Sequence, residues 1–237
     1  MINKTLLFEA AKKIDIILDD TAIERFDRYA YLLVEANKTM NLTSITEPDE
    51  IVYKHFVDCL SVFNETEFPS GAKVADVGTG AGFPGIVLLI ARPDLKMTLM
   101  DSTKKRLVFV QSVLNELSLN AEVVHIRAEE AGQKKEYREQ FDIVTARAVA
   151  NMNVLSEYCI PLLKKGGIFA AMKGAKAAGE LDNAKGAVKL LGGQPLSSKE
   201  FSIENCGERT VICVKKISHT PPKYPRPSAQ ISKKPLE

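Results

Sequence analysis

The chain begins with apolar residues at helical spacing. Leu6, Leu7, Ala10, Ile14 and Ile17 recur every three or four positions and predict a first amphipathic helix. A second starts at Thr21, with Ile23, Phe26, Tyr29, Ala30, Leu33 and Val34 on one face and Thr21 with Glu24 as a capping box. Asn41-Leu42-Thr43-Ser44-Ile45 interrupts the pattern. Pro48 then opens a third helix carrying Val52, His55, Phe56, Cys59, Leu60 and Phe63. Phe68-Pro69-Ser70-Gly71 reads as a boundary, and beyond it the period changes. Short apolar runs near 73–77, 97–101, 122–126, 141–146, 168–172, 195–203 and 208–216 read as strands. Helical stretches near 84–91, 103–118, 151–163 and 176–191 fall between them, with Pro161 expected to end or kink the third. Gly166-Gly167 makes the turn into the fifth strand.

That alternation predicts an α/β fold with a seven-stranded, mostly parallel, Rossmann-like sheet. Only Glu204-Asn205-Cys206-Gly207 separates the last two strands, too little for a crossover helix, so they form a C-terminal antiparallel hairpin. The chain divides into an N-terminal helical extension (1–68), a sheet domain (69–218) and a basic, Pro-rich tail (219–237) expected to be extended.

Composition narrows the classes. In 237 residues, 45% are apolar, which is enough to bury a core. No apolar run is long enough to span a membrane, and charged residues follow the N-terminus too soon for a secretory signal. Cys59, Cys159, Cys206 and Cys213 show no metal-ligand spacing and read as reduced, mostly buried thiols of a cytoplasmic protein; a Cys206–Cys213 bridge across the hairpin is the lesser alternative. No metal is expected, and the chain is taken as a monomer. The net charge of +2 is uneven: residues 1–66 sum to −5 and residues 215–237 to +5. A basic tail suits a polyanionic partner, though a solvated end reads equally well.

The chemistry concentrates in Lys73-Val74-Ala75-Asp76-Val77-Gly78-Thr79-Gly80-Ala81-Gly82-Phe83-Pro84-Gly85. An apolar strand ending in a carboxylate runs into a glycine-rich turn, which opens a helix. This is a nucleotide-type site at the carboxyl end of a first parallel strand. Gly80 to Gly85 satisfies the dinucleotide pattern G-x-G-x-x-G. Asp76 near the strand end, Pro84 inside the turn and the lack of a second catalytic domain argue against a dinucleotide. Asp76-x-Gly78-x-Gly80-x-Gly82 looks instead like the first motif of S-adenosylmethionine-dependent methyltransferases, the class I architecture. Asp101, at the end of the second strand, is placed to accept ribose hydroxyls, with a helix N-cap as its rival role. Arg127-Ala128-Glu129 follows the third strand where adenine would lie. Arg147 leaves the fourth strand at the active cleft; an ion pair with a nearby acid such as Asp76 is the other reading, and the two are compatible.

Several further segments are in register with one family. Asn41-Leu42-Thr43, His55-Phe56-x-Asp58, Asp101-Ser102-x-Lys104-Lys105-Arg106-x-x-Phe109, Arg147-Ala148, Met172-Lys173-Gly174 and Lys223-Tyr224-Pro225-Arg226 flank the glycine motif in order. With Gly82-Phe83-Pro84-Gly85 they resemble the bacterial 16S ribosomal RNA guanine-N7 methyltransferases, the RsmG or glucose-inhibited division protein B family, over nearly the whole chain. Cys59 stands where that family has serine, and the tail after Arg226 departs from its usual turn. The resemblance implies S-adenosylmethionine as cofactor and 16S ribosomal RNA or the 30S subunit as partner. Gly78, Gly80, Gly82 and Phe83 would line the cofactor, Ala128 and Glu129 would hold adenine, and Arg147 would reach the cofactor or the reacting pocket. No general base is expected. Arg147, Lys173 and His55 are candidates for positioning substrate. Lys104, Lys105, Arg106, Lys164, Lys165, Lys173, Lys176 and the tail are the candidate RNA footprint. The alternatives are methylation of another RNA or of a small substrate, and a non-catalytic nucleotide-binding module.

Overall fold

A computed structural model describes residues 1–177 and 179–237, together with the backbone but not the side chain of Lys176. Helices α1 (Lys4–Lys12) and α2 (Asp20–Met40) are followed by a composite helix. It runs through α3 (Pro48–Ile51), a π-helical turn (Val52–Val57), α4 (Asp58–Leu60) and a 3₁₀ turn (Ser61–Asn64). The α2 cap differs from the expected capping box. Asp19 caps the helix by accepting from the Ala22 N–H at 2.7 Å, so the helix starts before Thr21. Asn41 ends it in a left-handed conformation (φ 50°), and the Asn37 side chain accepts from the Leu42 and Thr43 N–H groups.

The sheet comprises β1 (Lys73–Val77), β2 (Lys96–Asp101), β3 (Ala121–His125), β4 (Phe141–Arg147), β5 (Leu163–Gly174), β6 (Gly193–Ile203) and β7 (Gly207–Lys216). Their order is β3-β2-β1-β4-β5-β7-β6, with β7 antiparallel to both neighbours and the other pairs parallel. The expected hairpin is therefore present. α5 (Gly85–Ala91), α6 (Lys104–Glu116), α7 (Ala128–Ala131) and α8 (Met152–Cys159) are the crossovers between parallel strands. β5 begins earlier than expected: Phe141 pairs with Leu163 and Ile143 with Ile168, so Gly166-Gly167 bulges out of a longer strand. The helix expected at 176–191 is broken. Gly179 takes a left-handed conformation (φ 80°), and α9 (Glu180–Asn183) and α10 (Lys185–Leu190) are separate. Cys206 sits in the hairpin turn while Cys213 faces Ser197 along the ladder, so no bridge forms and all four cysteines are free.

One apolar core joins the helical extension to the sheet domain, because Phe26, Leu33 and Phe56 pack in the same cluster as Ile86, Leu89 and Leu99. The tail is docked rather than extended. It carries a helical turn, α11 (Ser228–Lys233), with Ile231 fully buried. Glu157 of α8, itself without exposed surface, accepts from both the Arg226 backbone (2.8 Å) and its guanidinium (2.7 Å). Lys216 is buried against the Ile160 and Leu191 carbonyls and the Thr220 hydroxyl. Two cations of the basic end therefore hold the fold rather than face solvent. No described helix is long and apolar enough to cross a membrane.

Candidate active site

The carboxyl ends of β1, β2, β3 and β4 enclose a cavity of about 260 Å³. Gly78, Asp101, Arg106, Ala128, Glu129 and Val149 line it, with Tyr158 from α8. This is the topological switch point, where β1 leads one way to β2 and β4 continues the sheet the other way.

The glycine turn is tied down residue by residue. The N–H groups of Gly78 and Thr79 both donate to the Met100 carbonyl (2.9 and 3.0 Å). Gly80 N–H donates to Asp101 Oδ2 at 2.9 Å. Asp101 Oδ1 accepts from Thr103 N–H at 2.7 Å, ahead of α6. Asp101 is not the N-cap of α6, which is Thr103; its carboxylate holds the Thr103 N–H ahead of the helix and lines the cavity. Each carboxylate oxygen has a second lone pair left for a ligand hydroxyl.

Asp76 is not in the cavity. It has no exposed surface, and its oxygens accept from Gly85 N–H (2.9 Å) and the Thr145 hydroxyl (3.1 Å). It fastens α5 to β1 and β4. Burial pushes its carboxyl up to about 6, against the pull of those donors. Below its ordinary pKa the group is protonated in both folded and unfolded chains. Between about 4 and 6 the folded chain holds the proton more tightly, so stability falls as pH rises through that window and levels off above it. The difference amounts to about 3 kcal/mol. Asp76→Asn is therefore expected to lose that slope, and to equal or exceed the parent in urea stability at pH 8; a variant several kcal/mol weaker at pH 8 contradicts the assignment.

A second constellation lies at the ends of β4, β5 and β7. Register places Arg147 beside Met172 and Gly174 beside Arg209. The Arg147 guanidinium donates to Asp58 Oδ2 (2.8 Å), the Lys54 carbonyl (3.2 Å) and His55 Nδ1 (2.8 Å). It lies 5.4 Å from the Phe83 ring centroid. Asp58 Oδ1 accepts from Arg209 at 2.9 Å. Burial raises the Asp58 carboxyl, while Arg147 and Arg209 pull it back. The ion pair of Arg147 is thus with Asp58, not with Asp76. Arg147 forces the His55 tautomer: Nδ1 accepts, so Nε2–H donates to Thr43 Oγ1 at 2.9 Å. Burial first and Arg147 second lower His55 to about 3, so it is neutral at physiological pH.

Of the expected cofactor residues, Gly78, Asp101, Ala128 and Glu129 meet at the cavity. Gly80 and Arg147 are not on its wall; Gly80 reaches it only by donating its N–H to Asp101. Gly82 and Phe83 face the other way. A methyl on Gly82 would come within 2.7 Å of the Tyr29 hydroxyl, and Phe83 stacks on His55 at 4.3 Å. Lys173 is engaged by the Ala150 carbonyl (2.6 Å) and Glu180 (2.7 Å). Lys104, Lys105 and Arg106 stand at the α6 N-terminus beside the cavity, with Arg106 on its wall. Lys164 and Lys165 start β5, whose first residue pairs with the start of β4, so they lie at the opposite end of the sheet. The Lys176 side chain lies outside the described residues. Val149 and Tyr158 were not foreseen; the only signal for Val149 was its place just after Arg147-Ala148.

The profile of a family described as rRNA small subunit methyltransferase G matches residues 22–212. The Ribosomal RNA small subunit methyltransferase G of Lactobacillus helveticus is 48% identical over 229 residues, covering 94% of this chain and 95% of that one. The protein of the same name from Clostridium perfringens is 45% identical over 98% of each chain. The chain belongs to the rRNA small subunit methyltransferase G family.

Solved structures place the fold. A methyltransferase from Pyrococcus furiosus superposes with a TM-score of 0.53 at 17% identity, over 82% of this chain and 99% of that one. The [4+2]-cyclase SpnF superposes with a TM-score of 0.54 at 14% identity, over 68% of this chain and 81% of that one. A cyclase on the same scaffold shows that the fold alone carries no activity. The class I methyltransferase architecture and the family membership together make this small subunit methyltransferase G relative an rRNA methyltransferase.

Proposed function

We propose that the protein transfers a methyl group from S-adenosylmethionine to N7 of a guanine in 16S ribosomal RNA, working in the cytoplasm on the RNA or the 30S subunit. The observation that carries this is the cavity at the sheet's switch point, with Gly78 and Asp101 in its wall, in a chain of this family. The residues fit the cofactor. Asp101 offers a carboxylate at the end of β2, and Ala128 and Glu129 offer the unpaired first turn of α7 for adenine. Gly78 keeps the wall beside Val149 free of a side chain.

When bound, the sulfonium supplies an electrophilic methyl group. Guanine N7 presents an in-plane lone pair and carries no proton, so no residue has to remove one. The neighbouring side chains agree with that. His55 is neutral with both ring nitrogens engaged, Asp58 is held by two arginines, and Asp76 is sealed in the core. What remains for the chain is alignment and exclusion of water. Arg106 and Arg127, which both border the cavity, are placed to meet phosphate at its mouth.

The direct test is incubation with undermethylated 30S subunits or 16S RNA and labelled S-adenosylmethionine, followed by mapping of the modified base by strand scission after reduction and aniline. Label in a guanine that yields scission is the expected result. Label only in protein or small molecules, or no transfer at all, refutes it. The single-turnover rate is expected to be flat between about pH 6 and 8, because the pKa of His55 lies far below that range. A steep rise near neutrality that disappears in His55→Ala would show that a base is at work.

A further inference from the structure

We propose that Tyr29, from the helical extension, is a positioning residue that holds the cofactor loop in its binding shape. The proposal rests on the S-adenosylmethionine reading above for its affinity readout, and on the loop geometry alone for the rest. Tyr29 has no exposed surface, and its hydroxyl donates to the Ala81 carbonyl at 2.6 Å. Burial raises its phenol well above the ordinary value, so it is a neutral donor at any working pH.

The loop has two halves with different supports. Its first half hangs on β2, through Met100 and Asp101. Its second half folds back on itself, with the N–H groups of Gly82 and Phe83 both donating to the Thr79 carbonyl (2.8 and 2.9 Å). Among the described residues, Tyr29 is the side chain that hydrogen-bonds residues 81–84, while His55 and Arg147 meet this half through the Phe83 ring. Gly82 is shaped for that contact. It has φ 104°, and a Cβ there would sit 2.7 Å from the Tyr29 hydroxyl and 2.5 Å from Ile86 Cδ1. The third glycine of the motif therefore admits a tyrosine rather than a cofactor. Phe83 extends the same contact, with its ring between Tyr29 (5.4 Å between centroids) and His55 (4.3 Å).

A turn rich in glycine loses much backbone freedom when it is ordered. An anchor present before binding removes that loss from the binding step. Without the hydroxyl the loop must be ordered by the cofactor itself, which weakens affinity but not the rate once cofactor saturates. The extension thus acts on the cofactor site through the loop, not by touching the ligand.

The test is Tyr29→Phe in the full chain, which deletes one oxygen. The dissociation constant for S-adenosylhomocysteine by calorimetry and the KM for S-adenosylmethionine are expected to rise about tenfold, with kcat within twofold. Phe26→Leu is the control, since Phe26 is equally buried in α2 and, like Tyr29, packs on Phe56, but carries no hydrogen-bonding group to hold the loop. It is expected to lower thermal stability while leaving cofactor affinity unchanged. Independently of any ligand, amide exchange at Gly82 and Phe83 should quicken in Tyr29→Phe while β1 stays protected. Wild-type affinity and unchanged exchange in Tyr29→Phe would overturn the proposal, as would an equal loss of affinity in Phe26→Leu. A wild-type chain that takes up no S-adenosylhomocysteine would instead defeat the cofactor reading, leaving the exchange result to decide the role of Tyr29.

Discussion

Arg147→Met is expected to abolish methyl transfer and to lower the unfolding free energy by about 3 kcal/mol. The long apolar stem of methionine fills much of the space, so the effect isolates the guanidinium. That group serves five partners at once: a carboxylate and the Cys59 sulfur on α4, a carbonyl and an imidazole on the π-helical turn, and the face of Phe83. Its loss leaves the Asp58 carboxylate, already raised by burial, with Arg209 as its remaining cation. It also releases His55, whose ring stacks on Phe83 directly behind the glycine turn. Chemical denaturation reads the stability, and the labelled-cofactor assay reads transfer. The double variant Asp58→Asn/Arg147→Met discriminates the cause. If the stranded carboxylate is the main cost, the pair recovers most of the stability but none of the transfer. Full stability in the single variant would show that the ion pair contributes nothing to the fold.

The elements of the sheet were readable because each strand leaves a local mark. A run such as Lys73–Val77 or Phe141–Arg147 carries most of its apolar residues together within a few positions, and the short link before β7 dictates the hairpin. Partners far apart in sequence leave no such mark. Arg147 finds Asp58 across 89 positions, and nothing local to either residue singles out that acid over Asp76, which also lies near the end of a strand at the same edge of the sheet. Arg226 finds Glu157 across 69 positions, so a charged, proline-rich tail read as extended when it is clamped to α8. The same limit applies to the glycines. Their spacing announces a tight turn, but the spacing does not say what approaches each one. Gly78 borders the cavity, Gly82 admits Tyr29, and Gly85 admits a strand. The π-helical turn is equally silent, since no residue type in Val52–Val57 marks such a turn. It aligns His55 and Asp58 toward Arg147 at the end of β4.

Gly85→Ala should be the most damaging single methyl that can be added to this chain's glycine motif. Gly85 begins α5 with an ordinary helical backbone, so its requirement is room and not conformation. A Cβ there would sit 2.2 Å from Leu99 Cδ2, 2.8 Å from Asp76 Oδ2 and 3.1 Å from Asp76 Cβ. Leu99 is fully buried in β2 and Asp76 fully buried in β1, so neither neighbour has space to retreat. Overpacking of a dense core costs about 1–3 kcal/mol, occasionally more. Here the displaced group is also the carboxylate that accepts from the Gly85 N–H, so the hydrogen bond fixing α5 to β1 is strained at the same time. We expect a loss near the top of that range, about 3 kcal/mol. Affinity for S-adenosylhomocysteine should fall as well, since the turn between β1 and α5 moves with the helix. Gly71→Ala makes the comparison sharp. No atom lies near its added methyl, and Gly71 stands before β1, away from the cavity. Its left-handed backbone (φ 65°) disfavours alanine by about 1 kcal/mol. Urea titration and calorimetry on both variants decide the matter: Gly85→Ala must lose more stability than Gly71→Ala and, unlike it, must lose affinity. Equal stabilities with intact binding would mean that α5 can slide along the sheet, and that the close approach of helix to strand does not shape the cofactor turn.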